Sequence, residues 1–512
     1  MKTDYFKFIL FCFWTICLLA SCEEDYPPEN QSLPFLNDSV QIVVNPFNIA
    51  PLTAQALFTT NQAVKVQYIL SNTNEILWQG NELLKEHSID IMGLLPNVIN
   101  EIELKLTDAN ENYQSIKLKI QTEALADYLP AIDIKVNSAS SEDGWNMVSM
   151  LYAKESKYWA APFIFDSEGR VRWYFNLPEE FRIAGPFEKL KNGNLIAAAD
   201  HTVYEFSRMG EIINSWQIEP YRMHHDIFEM PNGNLLIPTS SPEVLSIFDQ
   251  LVELDVQTGL LVNEWDFREI LDANRQTMGN GQGDWLHVNS VWFDESDNTI
   301  VASARSQGIF KMDMTGAVKW IIAPHKGWGN TGIGDTGPDA NDFLLTAIDA
   351  NNTAFDNQIQ TGMQSHTKFD WPWLQHAAMV SNTGNILAFD NGDYRNYSFN
   401  EEKYSRVVEY EINENDKTIK QVWTYGEDRG LDYFSAITGD IDILPVTQNR
   451  LVASLIIRDS DFNKGYITEL AYPSNNIVFE ALISYSNANS NGTNMWSDFD
   501  YAFRAERMTM YP

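Results

Sequence analysis

The chain has 512 residues, of which 44% are hydrophobic and 12% aromatic, so a packed core is within reach and global disorder is excluded. Its formal net charge is −35, from 35 Lys and Arg against 70 Asp and Glu. Such a surface repels a polyphosphate, which excludes nucleic acid as a partner, and a small anion could be held only by a local cationic pocket.

Residues 1–22 read as a signal peptide: Lys2 and Lys7 form a positive start, Phe8 to Ala20 an apolar run. Leu19-Ala20-Ser21-Cys22 resembles a bacterial lipobox. That likeness implies cleavage before Cys22, a diacylglyceryl group on its sulfur, and an outer-membrane lipoprotein on the periplasmic or cell-surface side. Glu23-Glu24-Asp25 resembles the acidic export signals of surface lipoproteins. The three cysteines are Cys12, Cys17 and Cys22, so the mature chain has no thiol pair. Disulfides, thiol catalysis and Cys-ligated metals are thereby excluded.

Residues 23–34 (EEDYPPENQSLP) are a polar, Pro-rich tether. Over 35–125 the short alternating runs VQIVV, AQALFTT, VKVQYIL, INEIELKLT and YQSIKLKIQT predict a small antiparallel β-sandwich. From 130 to 512 six hairpins recur, each closing on an aromatic: Trp173, Trp216, Trp265, Trp320, Trp423 and Phe479. Their spacing suits four-stranded blades and predicts an all-β chain whose larger part is a six-bladed β-propeller. The closing aromatics are expected to pack between blades. The one long gap holds an insertion at about 324–370, expected over one face as a candidate lid.

A second pattern returns five times: GPFEKLKNGN, HDIFEMPNGN, NSVWFDESDN, HAAMVSNTGN and GDIDILPVTQN. One slot in it holds Gly185, His225, Asn289, His376 and Gly439 in turn. Repeats keep what packing needs, so a slot that varies among His, Asn and Gly is where chemistry is to be sought. These segments precede the outer hairpins and should be the inner strands, which carries the slot side chains to one depth on the axis. His287, two residues before Asn289, shares its face on a strand. Arg305 stands seven residues past Asn298, where the first repeat has His201, so both are expected near the channel mouth. His87, His325 and His366 read as surface residues.

The predicted cluster is therefore His225, His287, Asn289, Arg305 and His376. A guanidinium grips a tetrahedral oxyanion, and a neutral imidazole attacks phosphorus or sulfur. On residue types alone three readings stay open: an oxyanion site, a three-histidine metal site, and a channel of polar groups bridged by water. Arg305 weakens the metal reading, because a second cation in the same ring is repelled.

The segments MHHDIFEMPNGNLL, DWLHVNSVWFDESDNTIVASARSQGIFKMD, QHAAMVSNTGNILAFDNG and GDIDILPVTQNRL, with the closing RAERMTMYP, resemble the bacterial arylsulfate sulfotransferases over nearly the whole mature chain. The resemblance implies a six-bladed propeller that moves a sulfuryl group from an aryl sulfate to a phenol. It uses no nucleotide sulfate donor; no cofactor and no metal ligand is assigned, and whether a metal is bound stays open. It implies that His376 is the sulfated nucleophile, that His287 and Asn289 line the channel, and that Arg305 binds sulfate. Of the HHD pair the repeat selects His225, with His224 expected to point away from the axis. His287 or His225 would protonate the leaving phenolate. Trp328, Phe369, Trp371 and Trp373 would either hold the aryl ring or pack the insertion onto the propeller. The resemblance also suggests a homodimer. Some relatives carry a disulfide in the mature protein, which this chain cannot form. Two other functions compete: a sulfatase with water as acceptor, and a non-catalytic surface propeller.

Overall fold

The computed structural model describes residues 35–511, except 74, 155–156, 179–180, 182–184, 242–248, 276–283, 399–402, 459–462 and 486–498. The signal peptide, Cys22 and the tether thus lie outside the described residues. The fold is all-β: an N-terminal sandwich-like domain followed by a propeller.

The N-terminal domain is organised by one 17-residue strand, Ala54–Leu70. Its first half pairs with Gln41–Val44 and Leu84–Ile91, its second with Glu75–Gln79 and Ile99–Asp108. The register slips between Thr59 and Val64, where the strand passes from one set of partners to the other. Period-2 alternation puts Ala54, Ala56, Phe58, Val64, Val66, Tyr68 and Leu70 on one buried face. They share a core with Ile102, Leu104 and Leu106, and with Phe163, Leu451 and Ile467 of the propeller.

Six further sheets follow among the described residues, antiparallel but for one short added strand. In the second of them the strands run in chain order from one edge: Glu188–Lys189, Leu195–Ala199, Thr202–Phe206 and Ile212–Gln217. The opening strands of successive sheets touch one another, Val288–Asp294 against His376–Val380, His376–Val380 against Asp440–Ile443, and Asp440–Ile443 against Tyr501–Met508. The five slot residues lie at or just before the start of these inner strands.

Exchange at both ends closes the ring. Ala131–Asn137 forms the outer strand of the last sheet, on Asn476–Ser484. The C-terminal Tyr501–Met508 supplies the inner strand of the first, on Trp145–Lys154. Each exchange pairs a strand edge that would otherwise be open.

The closing aromatics have a specific job. Each indole N–H donates to the hairpin turn of the next sheet: Trp173 to Arg208 O at 2.7 Å, Trp216 to Val256 O at 3.0 Å, Trp265 to Met314 O at 3.2 Å. Trp320 donates to the Glu414 carboxylate at 2.8 Å and Trp423 to Asn475 Oδ1 at 2.6 Å. The sixth, Phe479, has no N–H and stands at the closure, under the Arg507 guanidinium. A ring that is apolar in body and a donor at one edge fills an inter-sheet gap and latches it together.

The insertion is not a lid. Thr346–Ala347 adds in parallel to Thr418–Ile419, at the outer edge of the fifth sheet. Phe369, Trp371 and Trp373 are buried there with Trp320, Tyr410 and Ile419, and Trp328 packs in a neighbouring core under Arg275. The rim position follows from that strand pairing, and it removes these four aromatics from the axis. His87 departs from its expected surface place: it is buried and stacks on Phe58.

Candidate active site

The inner strands begin with sharp bends. His225 and His287 have φ of 65° and 57°, and Ala377 and Thr438 have φ of 51° and 55°. These are left-handed conformations that non-glycine residues avoid, and such strain collects where function requires it. Gly439, at φ 113°, fills the equivalent place in the last repeat, where a Cβ would come within 2.4 Å of the Phe389 ring.

The bends bring His224, His225, His287, Arg305 and His376 to one cavity of about 280 Å³, with Asp284, Ile437, Thr438, Tyr501 and Phe503 as its other walls. Four of the five residues of the predicted cluster thus line one space. The fifth, Asn289, is buried outside the lining, and its amide donates to Gln375 O at 2.7 Å, bracing the backbone that precedes His376. His201 is elsewhere: its Nδ1 lies 2.7 Å from Tyr221 O.

His224 corrects the expectation from strand alternation. Its Nε2 is 3.2 Å from Nε2 of His287, and Nε2 of His225 is 3.0 Å from the same atom. Residues 224–227 are not in a strand, and the positive φ at His225 turns two adjacent imidazoles to one side.

Two partners were missed in the sequence. Asp284 holds Nδ1 of His287 with both carboxylate oxygens, at 2.9 and 3.0 Å; its signal is the DWLH spacing, three residues upstream. Asn391 holds Nδ1 of His376 through Oδ1 at 2.7 Å; its signal is the DNG that ends the next strand.

Burial and one guanidinium set the electrostatics of the cavity. Burial first, then the neighbouring imidazoles, holds His224 and His225 well below the usual histidine range. Burial and then the Arg305 guanidinium do the same to His376. These rings are neutral at neutral pH and offer lone pairs. Among the described residues the Arg305 Nε is buried without a hydrogen-bond partner, and Arg305 lines the cavity. The ligand nitrogens of His224, His225 and His287 lie within 4.8 Å of one another, so this trio could also take a divalent metal.

Fold and site together define a β-propeller with a cavity lined by four histidines and one arginine. The chain belongs to the arylsulfotransferase family: the family's main domain matches residues 131–493, and its Ig-like domain residues 41–123. The arylsulfate sulfotransferase AssT of Escherichia coli O6:H1 is 30% identical over 343 residues, and that of Lelliottia amnigena 28%. Each match covers 55% of this chain and 56% of the relative, so the chain spans about half the length of the curated relatives it matches. Among solved structures, a gluconolactonase from Xanthomonas campestris is similar at 9% identity and a TM-score of 0.31, over 70% of this chain and 96% of that one.

Proposed function

We propose that this chain moves a sulfuryl group from an aryl sulfate to a phenolic acceptor, in two ping-pong halves, through a sulfohistidine at His376. The observation that carries the reading is the meeting, in one cavity, of a neutral His376, the Arg305 guanidinium and the Asp284-held His287. Names and family membership support the same activity.

The donor's sulfate meets Arg305, and its ring lies toward Ile437, Tyr501 and Phe503. Nε2 of His376 attacks sulfur, the N–S bond forms and the S–O bond to the aryl oxygen breaks. Arg305 opposes the charge that grows on the sulfuryl oxygens, while His224 and His225 hold Nε2 of His287 at 3.2 and 3.0 Å. His287, its Nδ1–H held by Asp284, gives its Nε2 proton to the departing phenolate. An acceptor phenol then returns a proton to His287 and attacks sulfur, the N–S bond breaks, and the His376 lone pair is restored. Leaving and attacking groups are alike, so one residue serves as acid and then as base. Anchorage in the outer membrane through a lipid on Cys22 belongs to the same proposal and rests on the lipobox sequence.

The test is intact mass after incubation with 4-nitrophenyl sulfate and no acceptor. One added sulfuryl group mapped to His376, absent in His376→Asn and discharged by added phenol, is expected. An unmodified protein that still releases nitrophenol, at a rate phenol does not raise, would mean direct transfer to water.

A further inference from the structure

We infer that Asn391 is a positioning residue that decides which nitrogen of His376 carries the lone pair. The inference rests on the proposed role of His376 and adds a requirement to it.

Asn391 is fully buried. Its Nδ2 donates to Ser435 O and to Thr438 O, both at 2.7 Å. Carbonyls only accept, so a flipped amide would set its oxygen against two others and leave two carbonyls unsatisfied. The orientation is therefore locked and Oδ1 must face His376 Nδ1, at 2.7 Å. An amide oxygen also only accepts. Nδ1 of His376 therefore carries the hydrogen, and in a neutral ring the lone pair is left on Nε2, the nitrogen opposite. The hydrogen bond made by one ring nitrogen sets the state of the other.

The lock is itself held. Ser405 Oγ donates to Asn391 O at 2.7 Å and accepts from Ser435 N at 2.9 Å. Ser435 Oγ donates to Ile437 O at 2.7 Å and accepts from Ile456 N at 3.1 Å. Ser405 and Ser435 are as fully buried as Asn391. A polar network in a dry core is costly unless every member is satisfied, and this one ends in the Asn391 Oδ1 that accepts from His376 Nδ1. The same 435–438 segment places Ile437 and Thr438 in the cavity wall, so wall and nucleophile are positioned by one set of bonds. A neutral amide also suits the chemistry. Sulfation of Nε2 makes the ring an imidazolium, and a neutral acceptor leaves that cation a good leaving group where a carboxylate would stabilise it.

The experiment uses the full chain labelled with [15N]histidine, with His376 assigned by its loss in His376→Asn. Long-range proton–nitrogen correlation should show Nδ1 protonated and Nε2 bare in the native protein. In Asn391→Ala the two forms should mix, with kcat lowered at least about 10-fold and KM nearly unchanged. A native ring protonated on Nε2, or an Asn391→Ala protein with native tautomer and kcat, overturns the inference. A native Nδ1–H ring in a protein that gains no sulfuryl group refutes the nucleophile reading and leaves the tautomer assignment standing.

Discussion

Both oxygens of Asp284 lie against Nδ1 of His287, at 2.9 and 3.0 Å, from three residues upstream in the chain. The pair is the likeness of a carboxylate–imidazole couple that orients a general acid. If His287 delivers the proton to the departing phenolate, the cost of Asp284→Asn depends on the leaving group. We expect kcat to fall by roughly 100-fold or more with phenyl sulfate, whose phenolate needs the proton. With 4-nitrophenyl sulfate the fall should be much smaller. A series of substituted phenyl sulfates measures this. Equal losses across the series would assign Asp284 a purely architectural part.

His224 and His225 share one partner, Nε2 of His287, at 3.2 and 3.0 Å. Residues that act through a common atom do not contribute additively. His224→Asn and His225→Asn should each lower kcat/KM by about 10-fold or more, and the double variant should lose clearly less than the product, with a coupling of about 1–3 kcal/mol. Strictly multiplicative losses would separate the two rings functionally and return His224 to a structural part.

How much of this was legible in the chain follows from what periodicity can and cannot carry. The tryptophans stood out because each makes the same bond, an indole N–H to the next turn, so the residue recurs with the repeat. The repeated Asn194, Asn234, Asn385 and Asn449 are kept for a like reason, each bonding a third-strand glutamate: Glu205, Glu253, Glu409 and Glu469. The variable slot led to His225 and His376 because packing does not explain it. His224 was lost because alternation assumes an extended backbone, and φ at His225 is 65°. Asn391 was lost because its nearness to His376 depends on the pairing of His376 with Phe389, a strand register no spacing rule supplies. The insertion's aromatics read equally well as a lid or as packing until the Thr346–Ala347 pairing set them on the rim.

The imidazole nitrogens of His224, His225 and His287, within 4.8 Å of one another, could hold a metal ion. The mechanism proposed here needs those rings unligated. Added Zn²⁺ should therefore inhibit, at Zn–N distances of about 2.0–2.1 Å that the nitrogens can close to, and a chelator should reverse it. His224→Asn should raise the inhibitory concentration. Extensive chelation of the protein as purified should leave turnover of 4-nitrophenyl sulfate unchanged. Lost turnover on chelation, restored by one metal, would make the metal part of the machinery and require a different account of His225 and His287.

In a second hollow, which Lys189 and Lys191 also line, five acids cluster around Arg504. Arg504 pairs with Glu188 at 3.1 Å and Asp226 at 2.9 Å, and Asp440, Asp442 and Glu506 line the same hollow. Burial pushes all five above the usual carboxylate range, Asp440 to about 6, although Arg504 opposes the shift in each and Lys189 opposes it in Asp442 and Glu506. The sign of the consequence is fixed. In the unfolded chain an aspartate loses its proton near pH 3.9. In the fold Asp440 keeps its proton until about pH 6. Between those values the folded state binds more protons, so stability falls as pH rises and the penalty is complete above pH 6. Asp440→Asn removes a buried charge and retains an oxygen for the Ala505 N–H that Asp440 Oδ2 accepts at 3.3 Å. Its Tm should exceed that of the wild type by about 2–4 °C at pH 8, with the difference shrinking toward zero as pH falls to 4. A constant offset across that range would mean that the variant acts through packing and that the Asp440 charge costs the fold nothing.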